Sequence, residues 1–365
     1  MNKLKIDKIF LTSVVLLAIA GFFIFSSASL GLLARDGARF QSVAITQTAG
    51  LVLGAISFYL MSRFNYKNLK KYAFYILIGA LLINLLVFIP FFALNHGGAS
   101  RWVNLRFITF QPSEFLKIAF IIYFAAWLSG VKDKVTTFKM GIVPYMVIMI
   151  FVGGIILIQR DTDTLIVIIA TGLTMLFVAG AKLKHMAVLC TLILLALATI
   201  IMIRPYSRER IMTYINKGQD VQGSGYQIQQ SLIAIGSGQI AGRGFGQSVQ
   251  KFSYLPEPIG DSIFAVSAEE FGFIGSIVLI SLYLLFFIRS IKISTNIDDS
   301  FGGLTVIGIA ILILIESFMN ISSMLGIIPL SGMPLLFVSH GGTALIIALA
   351  ATGIIANISK YQKLN

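Results

Sequence analysis

Residues 9–30 read IFLTSVVLLAIAGFFIFSSASL, a stretch free of charge behind a start that carries Lys3, Lys5 and Lys8. A basic start before apolar residues is also how a secretory signal begins, but a signal core has only about 7–15 apolar residues. A membrane crossing needs about 20, and this run supplies that length, so it predicts an uncleaved first transmembrane helix. Working outward, apolar segments recur at 43–62, 72–94, 112–129, 141–158, 165–181, 186–203, 263–288, 302–323 and 338–358. The expectation is an all-α polytopic membrane protein of about ten transmembrane helices, with 1–365 forming a single transmembrane domain. Composition agrees: of 365 residues 57% are hydrophobic and 12% charged, against about 45–50% and 25% in soluble domains, which excludes an ordinary soluble enzyme.

The net charge of +13, from 28 Lys+Arg against 15 Asp+Glu, is read through its distribution. Basic residues crowd the segments on the amino-terminal side of the membrane, from Lys3, Lys5 and Lys8 through Lys67, Lys70 and Lys71 to Lys360 and Lys363. The short loops opposite hold only Arg35, Arg39, Arg101, Arg106 and Arg160. The positive-inside rule then predicts that both termini are cytoplasmic. No nucleic-acid motif accompanies the charge. The single Cys190 excludes an internal disulfide and reads as a packing residue.

One connection breaks the pattern of short loops. Residues 204–260 form a long extracytoplasmic loop rich in Gly, Ser, Gln and Tyr, carrying Arg204, Arg208, Arg210, Lys217, Arg243 and Lys251. Loops of that length are functional or disordered, and the apolar patches QQSLIAIGSG and FSYLPEP argue for a loop that folds back on the outer membrane face with short helices.

Ionisable groups at membrane depth are costly, so each is a functional candidate. In QPSEFLK, Glu114 and Lys117 share one helix face, as a structural ion pair or as ligands. Arg160, Asp161 and Asp163 crowd a short outer turn, QRDTDT, which is either a solvated turn or a pair of carboxylates able to hold a divalent cation. In LPEPIGDSIFAVSAEEFGFIG, Asp261 is the last acid before the apolar helix resumes, with Ala265 and Ala268 on its face. It reads either as a helix N-cap or as a half-buried carboxylate of raised pKa serving as a general base or acid. Glu269 and Glu270 lie about two turns deeper and need partners. Glycine clusters at GGASRW, GSGQIAGRGFG and SHGGTA can offer backbone N–H groups to phosphate, with Arg101 and Arg243 adding charge. No P-loop, GxGxxG, HExxH or GxSxG motif is present, and His96, His185 and His340 are too scattered for a metal site.

Taken together, QPSEFLK, the Gln-Arg-Asp turn, GSGYQIQQSLIAIGSGQIAGRGFGQSVQKFSYLPEP, DSIFAVSAEEFGFIG and NISSMLGIIPLSGMPLLFVSHGG resemble the shape, elongation, division and sporulation (SEDS) family, whose members include FtsW and RodA. The stretch GQSVQKFSYLPEP is more similar to the division and sporulation members. The resemblance implies a peptidoglycan glycosyltransferase that polymerises lipid II on the outer face of the bacterial cytoplasmic membrane beside a class B penicillin-binding protein. It places the family's essential acid on Asp261, its helix-four pair on Glu114 and Lys117, its acid after helix five on Asp161, and implies a divalent cation (Mg or Mn). With Asp261 as base, the phosphate partners are drawn from Arg101, Lys117, Arg208, Arg210, Arg243 and Lys251. Three departures stand out: Ile259-Gly260 where the family commonly has His-Thr, Asp163 where it commonly has Gly, and His340 where it commonly has Tyr. Two rivals are a lipid-linked precursor transporter and a non-catalytic scaffold for a synthase.

Overall fold

The computed structural model describes residues 5–96, 99–104, 109–215 and 223–363; Lys3, the glycines at 97 and 98, Arg106, Lys217 and Asp220 lie outside them. Seven helices lead from the amino terminus: α1 (Lys8–Arg35), α2 (Gly37–Arg63), α3 (Tyr66–Leu85), α4 (Pro112–Val131), α5 (Val143–Ile158), α6 (Thr162–Val178) and α7 (Leu183–Ile203). Three short ones follow in the long loop, α8 (Pro205–Ile215), α9 (Ser224–Ser237) and α10 (Gln250–Ser253). The chain closes with α11 (Ile263–Thr295), α12 (Ser300–Met324) and α13 (Gly342–Ile358). Among the described residues nine helices are long and apolar enough to span a membrane, and α6 is a shorter apolar one, so the chain is an all-α polytopic bundle of about ten helices. Because successive spans alternate in direction, the long loop, the 159–162 turn and the segment after α12 share one end of the bundle.

Local sequence sets the helix limits. Asp7 caps α1 by accepting from the Phe10 amide at 3.0 Å, and Pro112 opens α4 at the position where a missing N–H costs nothing. Two expected spans are shortened. The third was read to residue 94, yet α3 ends at Leu85 and a 3-10 turn at Phe88. Pro90 cannot donate to a continuing helix, and the chain turns into an antiparallel sheet of β1 (Ala93–His96), β2 (Ala99–Asn104) and β3 (Thr109–Phe110). The last was read from 338, but α13 starts at Gly342; the residues before it, broken by Pro329, Gly332 and Pro334, run as an irregular segment from Leu325 to Gly341.

Helix α12 is the centre of the bundle. Every residue from Phe301 to Ile313 is buried, and a methyl group at Gly308 would stand 2.6 Å from Ile121 and 2.8 Å from Met175. Small residues let helices approach this closely where lipid gives no hydrophobic drive. Helix α7 is the opposite case, with Leu189 its one buried residue among those described, so it lies at the rim.

Helix α11 is broken at Gly272 (φ 65°, ψ −163°). A break at membrane depth leaves backbone groups that must be satisfied by protein, and the long loop does this. The amides of Phe273 and Ile274 donate to the carbonyls of Gln239 and Ile240 at 2.9 and 3.1 Å, while those of Arg243 and Gly244 donate to Glu269 and Glu270 at 3.0 and 2.9 Å. Gly242 adopts φ +82° here, and any Cβ would lie 2.1 Å from the Glu270 carbonyl oxygen. Gly238 and Gly242 of GSGQIAGRGFG therefore serve close backbone approach, and the Arg243 and Gly244 amides are spent on the helix and are not presented to phosphate.

Candidate functional site

Asp261 occupies the turn that feeds α11. The turn is closed by Gly260 and Ser262 amides donating to the Glu257 carbonyl at 3.0 and 3.2 Å, with Glu257 at φ 45°. Ser262, not Asp261, stands at the N-cap, and its hydroxyl accepts from Gln227 of α9 at 3.0 Å. The Asp261 carboxylate is thus not consumed in capping. Ala265 and Ala268 are buried, and Gly238 packs against the Ala268 carbonyl.

What surrounds the carboxylate comes from distant parts of the chain. A methyl group on Gly332 would lie 3.6 Å from Asp261 Oδ2, 3.8 Å from Arg210 Nη2 and 3.9 Å from Asp163 Oδ2. Asp163, in the first turn of α6, accepts from Arg210 Nη1 at 2.8 Å and from the Gly332 amide at 3.2 Å. Beside them Arg101 reaches from β2, its Nη2 donating to the Arg160 carbonyl at 2.5 Å and its Nη1 lying 3.7 Å from Asp161 Oδ1. Burial pushes the Asp261 carboxyl up to about 7; Glu257 and Asp163 add to the rise, and Arg210 and Arg101 oppose it.

A groove of about 390 Å³ opens beside this cluster. Arg101, Arg160, Asp163 and Arg210 line one part, while Ile166, Leu197, Ile201, Ile211, Met319 and Leu330 supply apolar walls. Such an amphipathic cleft suits a ligand with an anionic head and an aliphatic tail.

Asp161 plays a different part from the metal ligand expected of it. It is 2% exposed and caps α6, accepting from the Thr164 hydroxyl at 2.8 Å and amide at 3.4 Å. Gln111 also donates to its Oδ2 at 3.4 Å. Among the described residues no group of three or more His, Cys, Asp or Glu is placed to hold a metal ion. A carboxylate already committed to a cap, an amide and a guanidinium does not fit a divalent cation's demand for several oxygens.

Four of the remaining predicted residues, Glu114, Lys117, Arg243 and Lys251, fall into two clusters apart from Asp261. Lys117, 1% exposed, bonds Glu114 at 2.9 Å and both oxygens of Glu316 at 2.9 and 2.8 Å. Lys251 bonds Glu270 at 2.6 Å and Ser27 of α1 at 3.1 Å; Glu269 accepts from the Ser248 hydroxyl and the Val249 amide at 2.6 and 3.0 Å, with Arg243 3.5 Å away. Lys251 and Arg243 therefore tie the long loop to α1 and α11, and the buried Lys251 does not face the groove as a phosphate partner would. Arg208 stands exposed on α8.

Sequence reasoning missed three contributors. Glu316 lies within an apolar run, and the rule that singled out Glu114 applies to it equally. Gly332 carries no chemistry and has no local signal. Asn320, wholly buried in α12, donates to the carbonyls of Asp261 and Met333 at 2.7 and 2.8 Å, pinning the Asp261 turn and the irregular segment to one amide. Asn320→Ala is expected to cost about 1–3 kcal/mol of stability, since buried carbonyls lose their donor, and to lower any activity that depends on the placement of Asp261 at least tenfold. A thermal melt beside a rate measurement checks both, and a variant matching wild type in each would show that the turn holds without Asn320.

A family model described as "Cell cycle protein", that of FtsW, RodA and SpoVE, matches residues 7–364. The chain is 36% identical over 360 residues to a probable peptidoglycan glycosyltransferase FtsW of Geobacter sp. (strain M18), covering 98% of this chain and 97% of that one. It is also 36% identical over 311 residues to stage V sporulation protein E of Bacillus subtilis (strain 168), covering 85% of each. Among solved structures it resembles a chain from "Structural coordination of polymerization and crosslinking by a peptidoglycan synthase complex", with TM-score 0.81, 24% identity and 99% of both chains covered. Thermus thermophilus rod shape determining protein RodA follows at TM-score 0.71, 22% identity and full coverage of both chains.

Proposed function

The chain belongs to the FtsW, RodA and SpoVE family, and on that footing we propose that it is a peptidoglycan glycosyltransferase polymerising lipid II at the outer face of the cytoplasmic membrane, with Asp261 as general base. The observation that carries this reading is that the Asp261 carboxylate lies next to Gly332 beside the Arg210 guanidinium, which itself lines the polar part of an amphipathic groove.

The chemistry follows from what each group can do. The acceptor's GlcNAc 4-hydroxyl attacks the anomeric carbon of the donor MurNAc, the new C–O bond forms as the C–O bond to pyrophosphate breaks, and the hydroxyl proton passes to Asp261. A single displacement inverts the anomeric centre. The polyprenyl pyrophosphate departs as a weak base, so it needs cationic stabilisation more than a proton; in this reading Arg210 and Arg101, which line the groove, supply it, and the apolar walls accept the lipid tail. The excess of basic residues at the opposite end of the bundle supports an outward-facing site. A class B penicillin-binding protein is the partner this reading calls for, since glycan strands need crosslinking.

The test is a purified chain given lipid II, with and without a cognate class B penicillin-binding protein. Glycan strands are expected. Headgroup movement between vesicle leaflets without glycosidic bonds would replace this reading with a transporter, and neither outcome with retained partner binding would leave a scaffold.

A further inference from the structure

Asp163 is an odd neighbour for a phosphate. A carboxylate beside the groove repels an anionic headgroup, so by charge alone its presence weakens the site. Its geometry says what it does instead. One oxygen, Oδ2, takes both Arg210 Nη1 and the Gly332 amide, so the guanidinium is anchored through Asp163 to the irregular segment after α12. That segment is anchored in turn to the Asp261 turn: Asn320 bridges the Met333 and Asp261 carbonyls, and Ser339 donates to the Gly260 carbonyl at 2.8 Å. A long arginine side chain loses substantial rotamer freedom on being fixed, and here a buried-edge carboxylate and a backbone N–H meet that requirement. Gly332 leaves the space between Arg210 and Asp261 unfilled, because any side chain there would enter it.

We propose that Asp163 is a positioning residue for the donor's pyrophosphate, holding Arg210 in register with Asp261 at the polar part of the groove. The proposal rests on the polymerase reading for the identity of the anion, and it makes a prediction of sign: removing Asp163 weakens pyrophosphate-lipid binding although it removes a repulsive charge.

The experiment is a double-mutant cycle on the full chain in lipid nanodiscs, titrated with undecaprenyl pyrophosphate. Asp163→Ala and Arg210→Gln are each expected to weaken binding at least fivefold, and Asp163→Ala to add less than twofold in the Arg210→Gln background. A residue that merely supported the fold would cost affinity in both backgrounds. Unchanged or tighter binding by Asp163→Ala overturns the proposal, as do effects that multiply in the double variant. Should Asp163→Ala fail to accumulate, Asp163→Asn carries the cycle, with a loss of at least threefold expected in the wild-type background and none with Arg210→Gln; the absence of a loss overturns it. A wild-type chain that does not bind undecaprenyl pyrophosphate overturns it too, whatever polymerisation shows. A chain that binds this lipid, obeys the cycle and yet forms no glycan from lipid II leaves the positioning intact and removes the polymerase reading.

Discussion

Asp261→Asn is expected to lower lipid II polymerisation by about 10²–10⁴-fold, the range that a positioned general base supplies, while the protein keeps its thermal stability. The asparagine is nearly the same size, and the contact that fixes the turn runs through the Asp261 backbone carbonyl to Asn320, which the substitution leaves in place. The loss should therefore fall on turnover and not on folding. The wild-type rate should also carry the signature of this group. A base acts in its deprotonated form, and the Asp261 carboxyl is pushed up to about 7 by burial, with Glu257 and Asp163 adding to it against Arg210 and Arg101. Activity is therefore low below that pH and rises through it to a plateau. Removing one opposing cation should move the midpoint further up: Arg101→Gln is expected to shift the rising limb to higher pH. A polymerisation rate for Asp261→Asn within threefold of wild type, or a profile flat between pH 5.5 and 8.5, would sink the assignment.

How much of this was legible beforehand depends on the kind of signal. The apolar spans are readable because apolar length and charge asymmetry are local properties, and Asp261, Glu114 and Lys117 stand out as candidates because charge at or near membrane depth is rare enough to demand a reason. The helix ends at Leu85 and Gly342 differ from the expected ones because hydropathy continues where the backbone leaves the helix, ahead of Pro90 in one case and through Gly341 in the other. The site itself is assembled from residues 101, 163, 210, 261 and 332, and no periodicity in one chain reveals which turn meets which. The candidate phosphate ligands show the same limit: Arg210, Arg243 and Lys251 look alike in a basic loop, yet Arg210 pairs with Asp163 next to Asp261, while Lys251 and Arg243 are paired with Glu270 and Glu269. Asp261 was open to an N-cap reading that only the position of Ser262 excludes.

The largest effect on stability should come from the core of the bundle. Lys117 is the one cation between Glu114 and Glu316 in the contacts that hold this cluster, with all three side chains buried. Removing one partner of a buried pair leaves an uncompensated charge and costs about 3–5 kcal/mol; here Lys117→Met would leave two carboxylates facing each other between α4 and α12. The methionine fills much of the volume of the lysine stem, so the loss is electrostatic and not a cavity effect. If that is the mechanism, neutralising the carboxylates should undo it. The triple variant Glu114→Gln, Lys117→Met, Glu316→Gln is expected to regain most of the stability, since buried ion pairs exchanged for neutral groups of similar shape are often close to neutral. Thermal melts of the purified variants decide the matter. A single variant as stable as wild type would mean that water reaches the carboxylates, and a triple variant no better than the single would mean that the lysine stem's packing, and not its charge, holds α4 to α12.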